Sequence, residues 1–294
     1  MPSRPSAPGL RAIFLGLFAL SLSLQAASGP KIFIVTDLEG VGGVNLAEEQ
    51  LLPGQRRFEE SRRLLIGELN AAVSGVLAAG ASDIVIWDGH DGSRTLSIDD
   101  IHPKARLIQG RPTPANYYLS EGLYDGILFI GQHAMAGAQG GVLAHSQSFS
   151  VQNIFINGKR IGEIGQTAAI AGHFNIPVIM LAGDLAACQE LLALQPNAET
   201  VAVKQLAGKS STLSLSHTES KARIEAAAKR AVQNIANFRP WKIAGPVELK
   251  FEYYPETAGV SAAALSSENK QLSPHTVVYR GLNVLEAFEQ WLGK

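Results

Sequence analysis

Two carboxylates, Asp37 and Glu39, follow directly on an apolar run in Phe33–Gly40. Alternate residues of an extended strand point the same way, so both acids are predicted to project together from the end of a buried strand. Two carboxylates held side by side are costly unless a cation lies between them. The spacing therefore predicts a site for a divalent metal ion.

Further polar residues follow other predicted strands. Asp88 and His90 end the strand 84–87, His133 follows the strand 127–130, and Glu163 lies between two glycines. Taken singly, each has an ordinary structural explanation, such as a capping aspartate or a hydrogen-bonded histidine. His145, in Ala-His-Ser, is equally ambiguous. As a set they form a cluster of nitrogen and oxygen donors, which suit zinc or manganese, and the absence of cysteine fits a catalytic rather than a structural zinc site.

Buried strands that alternate with helices must position these residues. Strands are predicted at 31–36, 84–87, 127–130, 178–182 and 200–204, with helices at 55–79, 166–174 and 185–194. A hairpin around Asn157-Gly158 is predicted within 153–164. This order predicts an α/β fold, with a mostly parallel sheet and helices on both faces. Such sheets bind ligands at the carboxyl ends of their strands, where the candidate residues lie.

The C-terminal third has a different pattern. Ser216 and Glu219 form a capping box that opens a helix to about residue 238. Strands at 247–254 and 276–279 and a helix at 283–292 follow. We therefore predict an α/β catalytic domain over residues 29–205 and a smaller α+β domain over residues 206–294.

The N-terminus has the order of a secretory signal. Arg4 and Arg11 precede 13 apolar or small residues at 12–24, and small residues follow at 26–29. That run is short for a bilayer span, which needs about 20 residues. We predict that residues 1–28 are removed and that the product is periplasmic or secreted, without stable membrane association. An uncleaved membrane anchor is the alternative.

The charge and the cysteine content indicate which partners and which covalent cross-links the chain can have. Loss of two arginines leaves 23 basic and 26 acidic residues, a net charge of −3, and no Lys/Arg run is present. We therefore expect no nucleic-acid partner. The single cysteine, Cys188, excludes an intrachain disulfide and is expected to be buried in a helix.

Several short motifs occur in the order seen in the zinc-dependent D-aminopeptidase family. They are Thr-Asp-Leu-Glu-Gly (36–40), Asp-Gly-His (88–90), Gly-Gln-His-Ala (131–134), Ala-His-Ser (144–146) and Ile-Asn-Gly-Lys-Arg-Ile-Gly-Glu-Ile-Gly (156–165). Residues 176–184 and 201–205 are also similar to it. The chain thus resembles this family of metallopeptidases over about residues 31–205, and more weakly beyond.

The resemblance implies two zinc ions per subunit. Asp37 would bridge both ions, Glu39 and His90 would complete one site, and His133 and Glu163 the other. His145 matches the catalytic histidine of the family, which is not a ligand. The family also implies a homo-oligomer, either a ring or a decamer.

The expected function is an exported zinc aminopeptidase that hydrolyses short peptides with N-terminal D-amino acids. A periplasmic peptide- or metal-binding protein without catalysis is one alternative. Another metal-dependent amidohydrolase, which keeps the site and changes the substrate, is the second.

Overall fold

The computed structural model describes residues 29–110, 123–209, 211–255, 270–273 and 275–293, together with Met1 and Leu119. Apart from Met1, the predicted signal segment 1–28 lies outside the described residues. Among the described residues, no helix is long and apolar enough to cross a membrane.

A seven-stranded sheet forms the centre of the fold, in the order β3-β2-β1-β4-β7-β8-β9. Neighbouring strands pair in parallel except at one edge, where β9 runs antiparallel to β8. The strands are β1 (Lys31–Thr36), β2 (Asp83–Asp88), β3 (Arg106–Ile108), β4 (Gly126–Gln132), β7 (Val178–Asp184), β8 (Glu199–Leu206) and β9 (Thr212–Ser214). The predicted α/β class with a mostly parallel sheet is confirmed.

Helices cover both faces of this sheet. The α-helices of the described residues are α1 (Ala47–Gln50), α2 (Phe58–Ala78), α3 (Glu163–His173), α4 (Leu185–Leu194), α5 (His217–Gln233) and α6 (Val284–Trp291). Because side chains alternate along a strand, Ile32 and Ile34 of β1 join the core under α2 and α5. Phe33 and Val35 join the opposite core, which α3 and α4 cover. Cys188 is buried in this second core, as predicted.

A second, antiparallel sheet lies against the α3 and α4 side, in the order β11-β12-β10-β5-β6. Its strands are β5 (Val151–Ile156), β6 (Lys159–Ile161), β10 (Val247–Tyr253), β11 (Lys270–Ser273) and β12 (Thr276–Gly281). The predicted hairpin joins β5 to β6 through Asn157 and Gly158, whose φ angles of 46° and 78° fit a type I′ turn.

The C-terminal segment contributes β10 to the second sheet and α5 to one face of the central sheet. β10 pairs with β5, which precedes residue 206, and α5 packs against α2. A Cβ atom at Gly75 of α2 would lie 2.3 Å from the Glu225 carbonyl oxygen of α5, so the two helices meet closely. The Ser216 cap of α5 is confirmed, since its side chain accepts a 3.2 Å hydrogen bond from the Glu219 N–H. The division of the chain at residues 205 and 206 stays a prediction.

Candidate metal centre

Asp37 and Glu39 lie in the turn just after β1, which ends at Thr36. The Asp37 and Gly40 N–H groups donate to the Ile130 and Gly131 carbonyl oxygens, at 2.9 and 2.7 Å, so this turn lies against the end of β4. A Cβ atom at Gly40 would lie 2.1 Å from the Gln132 carbonyl oxygen. The predicted convergence of the two acids is therefore produced by a turn held against β4, rather than by an extended strand.

His90 brings these two carboxylates together. Its Nδ1 lies 3.2 Å from Asp37 Oδ1 and 3.0 Å from Glu39 Oε2. Its Nε2 lies 2.8 Å from the Leu51 carbonyl oxygen, which only accepts hydrogen bonds. Nε2 therefore carries a proton, and Nδ1 is the nitrogen available as a ligand.

His133 and Glu163 form the other half of the cluster. His133 follows β4, and its Nε2 lies 3.3 Å from Asp37 Oδ2 and 3.5 Å from Glu163 Oε1. Its Nδ1 faces the Ala134 carbonyl oxygen at 2.9 Å, which again leaves Nε2 free to ligate. Glu163 is the first residue of α3 and accepts a 2.7 Å hydrogen bond from the Gln147 N–H. It thus enters from the start of a helix, unlike the other acids, which follow strands of the central sheet.

His145 lies in the loop between β4 and β5, beside Glu163. Its ring stacks between those of His133 and Phe149, with centroid distances of 3.9 and 4.5 Å. Its Nδ1 is 3.0 Å from the Leu143 carbonyl oxygen, and its Nε2 is 3.9 Å from Glu163 Oε1. The structure therefore brings together all six residues that the sequence singled out as ligands or catalytic group.

The carboxylates of this cluster stabilise a positive charge placed among them. Burial and, after it, the charge on the neighbouring Glu39 raise the pKa of Asp37 to about 7. Burial lowers the pKa of His133, but Glu163 and Asp37 outweigh this and hold that pKa well above its usual value. Burial and then the charge on His133 lower the pKa of His145. A divalent cation among the carboxylates would meet the same electrostatic demand and leave the imidazoles neutral.

The donor atoms themselves fit zinc. Glu39 Oε2 and His133 Nε2 are buried and have no hydrogen-bond partner among the described residues. Asp37, Glu39 and His133 can place one donor atom each within 4.8 Å of one another, and so can His133, His145 and Glu163. Carboxylate oxygens and imidazole nitrogens without thiolates are the donor set of catalytic zinc. Because His145 belongs to the second group, its distances would also allow it to be a metal ligand.

Asp88 holds the loop that follows His90. Its Oδ2 accepts hydrogen bonds from the Thr95 and Leu96 N–H groups, at 2.7 and 2.9 Å. Burial raises its pKa. The structure thus supports the capping interpretation of Asp88, with an indirect effect on the position of His90.

Lys204 also contacts this site, and this contact was not predicted from the sequence. It is only 2% exposed, and its Nζ donates to the carbonyl oxygens of Glu39 and Val44. Burial lowers its pKa to about 8. Its sequence context, Val-Ala-Val-Lys-Gln, indicates only a strand. The contact with Glu39 spans 165 positions of the chain, and no local pattern signals it.

A cavity of about 840 Å³ opens from the cluster. Asp37, Glu39, His90, His145 and Glu163 line its polar part. Apolar side chains form much of the remaining wall, namely Leu51, Leu52, Trp87, Ile170, Phe288 and Trp291. The site is therefore open to a molecule the size of a short peptide.

A buried cluster of carboxylates and imidazoles, placed where parallel strands end and opening into such a cavity, defines a metal-dependent hydrolase. A sequence model of the D-aminopeptidase family matches residues 31–292. The chain belongs to this family of zinc-dependent peptidases and is an aminopeptidase of the D-aminopeptidase type.

Two comparisons agree with this assignment. A D-aminopeptidase of Bacillus subtilis (strain 168) is 30% identical over 266 residues, which cover 89% of this chain and 95% of that protein. A solved structure, the Zn-dependent D-aminopeptidase DppA from Bacillus subtilis, described as a self-compartmentalizing protease, superposes with a TM-score of 0.80. It is 29% identical, and the match covers 89% of this chain and 95% of that one.

Proposed function

We propose that this protein is an exported aminopeptidase that uses two zinc ions to hydrolyse short peptides with an N-terminal D-amino acid. The observation that carries the two-ion proposal is the position of Asp37. Its two oxygens face different histidines, with Oδ1 near His90 and Oδ2 near His133. One carboxylate placed between two such groups is suited to bridge two metal ions.

The residues divide into two ligand sets around Asp37. Glu39 and His90 would complete one set, and His133 and Glu163 the other. When bound, zinc acts as a Lewis acid that polarises a carbonyl group and lowers the pKa of water from about 16 towards 7. In the hydrolysis the C–N bond breaks, hydroxyl is added to the acyl carbon, and a proton is added to the leaving amine.

His145 is suited to move that proton. Its Nδ1 faces the Leu143 carbonyl oxygen, so Nε2 is the basic nitrogen, and this atom lies beside Glu163. Its depressed pKa keeps the ring neutral and able to accept a proton near neutral pH. The stacked His133 and Phe149 rings fix its orientation.

The substrate class and the metal requirement are tested together. Residues 29–294 are expected to hydrolyse D-aminoacyl amides faster than their L-isomers, to lose activity to a chelator, and to regain it with zinc. The measurement is turnover of a matched D/L panel beside zinc content per chain. Two bound zinc ions without hydrolysis of either isomer would favour a binding protein. Hydrolysis only of amides that lack a free α-amine would favour another amidohydrolase.

The proposals for export and for the cellular substrate are based on the N-terminal sequence. Residues 4–29 have the basic, apolar and small segments of a secretory signal. In a bacterial periplasm, peptides that contain D-alanine arise from turnover of the cell wall, which makes wall-derived peptides the proposed substrates. Mass spectrometry of the protein from the periplasmic fraction is expected to find an N-terminus near residue 29. A full-length chain that stays with membranes would contradict export.

A homo-oligomer, either a ring or a decamer, completes the proposal. The solved relative is described as self-compartmentalizing, which supports an assembly that encloses its active sites. Light scattering on residues 29–294 measures the number of subunits.

A further inference from the structure

One half of the metal centre depends on two segments that are separate in the chain. His133 follows β4, and Glu163 opens α3, yet His133 Nε2 and Glu163 Oε1 lie only 3.5 Å apart. The loop 133–150 and the β5–β6 hairpin connect them. The Gln147 N–H of this loop donates to Glu163 Oε1 at 2.7 Å, and a group that contacts the main chain beside both residues would hold the two side chains at this distance more firmly.

Glu190 of α4 contacts both segments at once. Its Oε2 accepts a 2.8 Å hydrogen bond from the N–H of Met135, two residues after His133. Its Oε1 accepts a 3.2 Å hydrogen bond from the N–H of Gly162, the residue before Glu163. The two oxygens of one carboxylate thus join the main chain beside one histidine and one glutamate of the cluster.

The three segments meet at van der Waals contact. A Cβ atom at Gly162 would lie 2.6 Å from Met135 Cβ and 2.8 Å from Glu190 Oε1. Position 162 therefore requires glycine for this approach, which explains one of the two glycines that flank Glu163. The close fit leaves little freedom for the two main-chain segments to separate while the Glu190 hydrogen bonds persist.

We propose that Glu190 is a positioning residue that sets the separation of His133 and Glu163, and thereby the affinity of the zinc ion that these two residues would hold. This inference rests on the proposed two-zinc function. It assigns Glu190 a role in one half of the centre, because its contacts lie beside His133 and Glu163 and not beside Glu39 or His90. Loss of the Glu190 carboxylate should therefore affect the two ions unequally.

Glu190→Gln is the most discriminating substitution. A glutamine keeps the size of the side chain but has one oxygen in place of two, so one backbone N–H would face an NH₂ group, which is also a donor. We expect zinc titration of the variant to show one ion bound with unchanged affinity and the other weakened about 10–100-fold, as is usual when a supporting hydrogen bond is lost.

The spectrum of bound Co²⁺ identifies which ion is weakened. With one equivalent of Co²⁺, Glu190→Gln is expected to match Glu163→Gln, which alters the same half, and to differ from Glu39→Gln. Ser216→Ala serves as the stability control. It removes the cap of α5 away from the cluster, and it is expected to lower the melting temperature and leave both ions bound.

The outcomes separate this inference from the function on which it rests. A wild-type chain that binds fewer than two ions overturns the two-zinc proposal and this inference with it. A wild-type chain that binds two ions, with Glu190→Gln also binding both at wild-type affinity, overturns the role of Glu190 alone. Equal weakening of both ions in Glu190→Gln would show general loss of structure and would also overturn it.

Discussion

His145→Ala is expected to lower kcat about 10²–10⁴-fold, the range that a general acid or base contributes, while zinc content stays at the wild-type value. The expectation depends on the position of the ring. His145 Nε2 lies 3.9 Å from Glu163 Oε1, next to the carboxylates but outside the closer contacts that His90 and His133 make with Asp37. It can therefore reach a reacting group beside the metal without completing a ligand set.

The surroundings of His145 also suit proton transfer. Burial lowers the pKa of His145, so its ring is neutral at pH 7 and can accept a proton. Phe149 stacks on its outer side and is 55% exposed, so this aromatic ring separates the imidazole from solvent. Removal of the imidazole should accordingly affect the chemical step more than the binding of substrate, and KM should change little.

Zinc content and steady-state kinetics of the same preparation test this prediction. His173→Ala is the matched control, because His173 is an exposed histidine at the end of α3, and its loss is expected to change neither property. Loss of one zinc ion in His145→Ala would instead make His145 a ligand, as its donor distance to His133 and Glu163 allows.

The sequence predicted the cluster because its residues follow strands that belong to one parallel sheet. Asp37 and His133 follow β1 and β4, which pair directly, and His90 follows the next neighbour, β2. Adjacent parallel strands end at the same edge, so chain position alone placed these residues together. The position of Glu163 in the cluster was harder to predict, since Glu163 lies at the start of α3, after the hairpin of the second sheet.

Residues that support the cluster could not be found in this way. Glu190 lies in a helix whose apolar pattern is ordinary, and its hydrogen-bond partners are 55 and 28 positions away. Lys204 ends an apolar strand segment, with its contact to Glu39 equally remote. A polar residue inside a regular element has no local signal that distinguishes a buried contact from a solvated one. Short edge strands such as β3 and β9 were missed because three residues show no clear alternation.

Asp37→Asn is expected to weaken both zinc ions by at least about 100-fold, whereas Glu39→Gln should weaken mainly one. Outer hydrogen bonds to a ligand already change affinity 10–100-fold, so loss of a ligand should reach or exceed that range. Asp37 Oδ1 accepts from the Leu38 N–H at 2.8 Å and Oδ2 from Gln132 Nε2 at 3.0 Å. An asparagine has an NH₂ group at one of these positions, where it would face another donor and offer no lone pair to a metal.

The two substitutions are matched, since each replaces one buried carboxylate with an amide and removes one negative charge. They differ in contacts, because Asp37 faces both His90 and His133, whereas Glu39 Oε2 lies 3.0 Å from His90 Nδ1. A difference in the number of ions lost must therefore arise from the position of the carboxylate rather than from charge. Chelator competition that resolves two zinc affinities is the measurement. If both variants weakened both ions equally, Asp37 would not be the bridge, and the cluster would act as a single site whose affinity depends on its total negative charge.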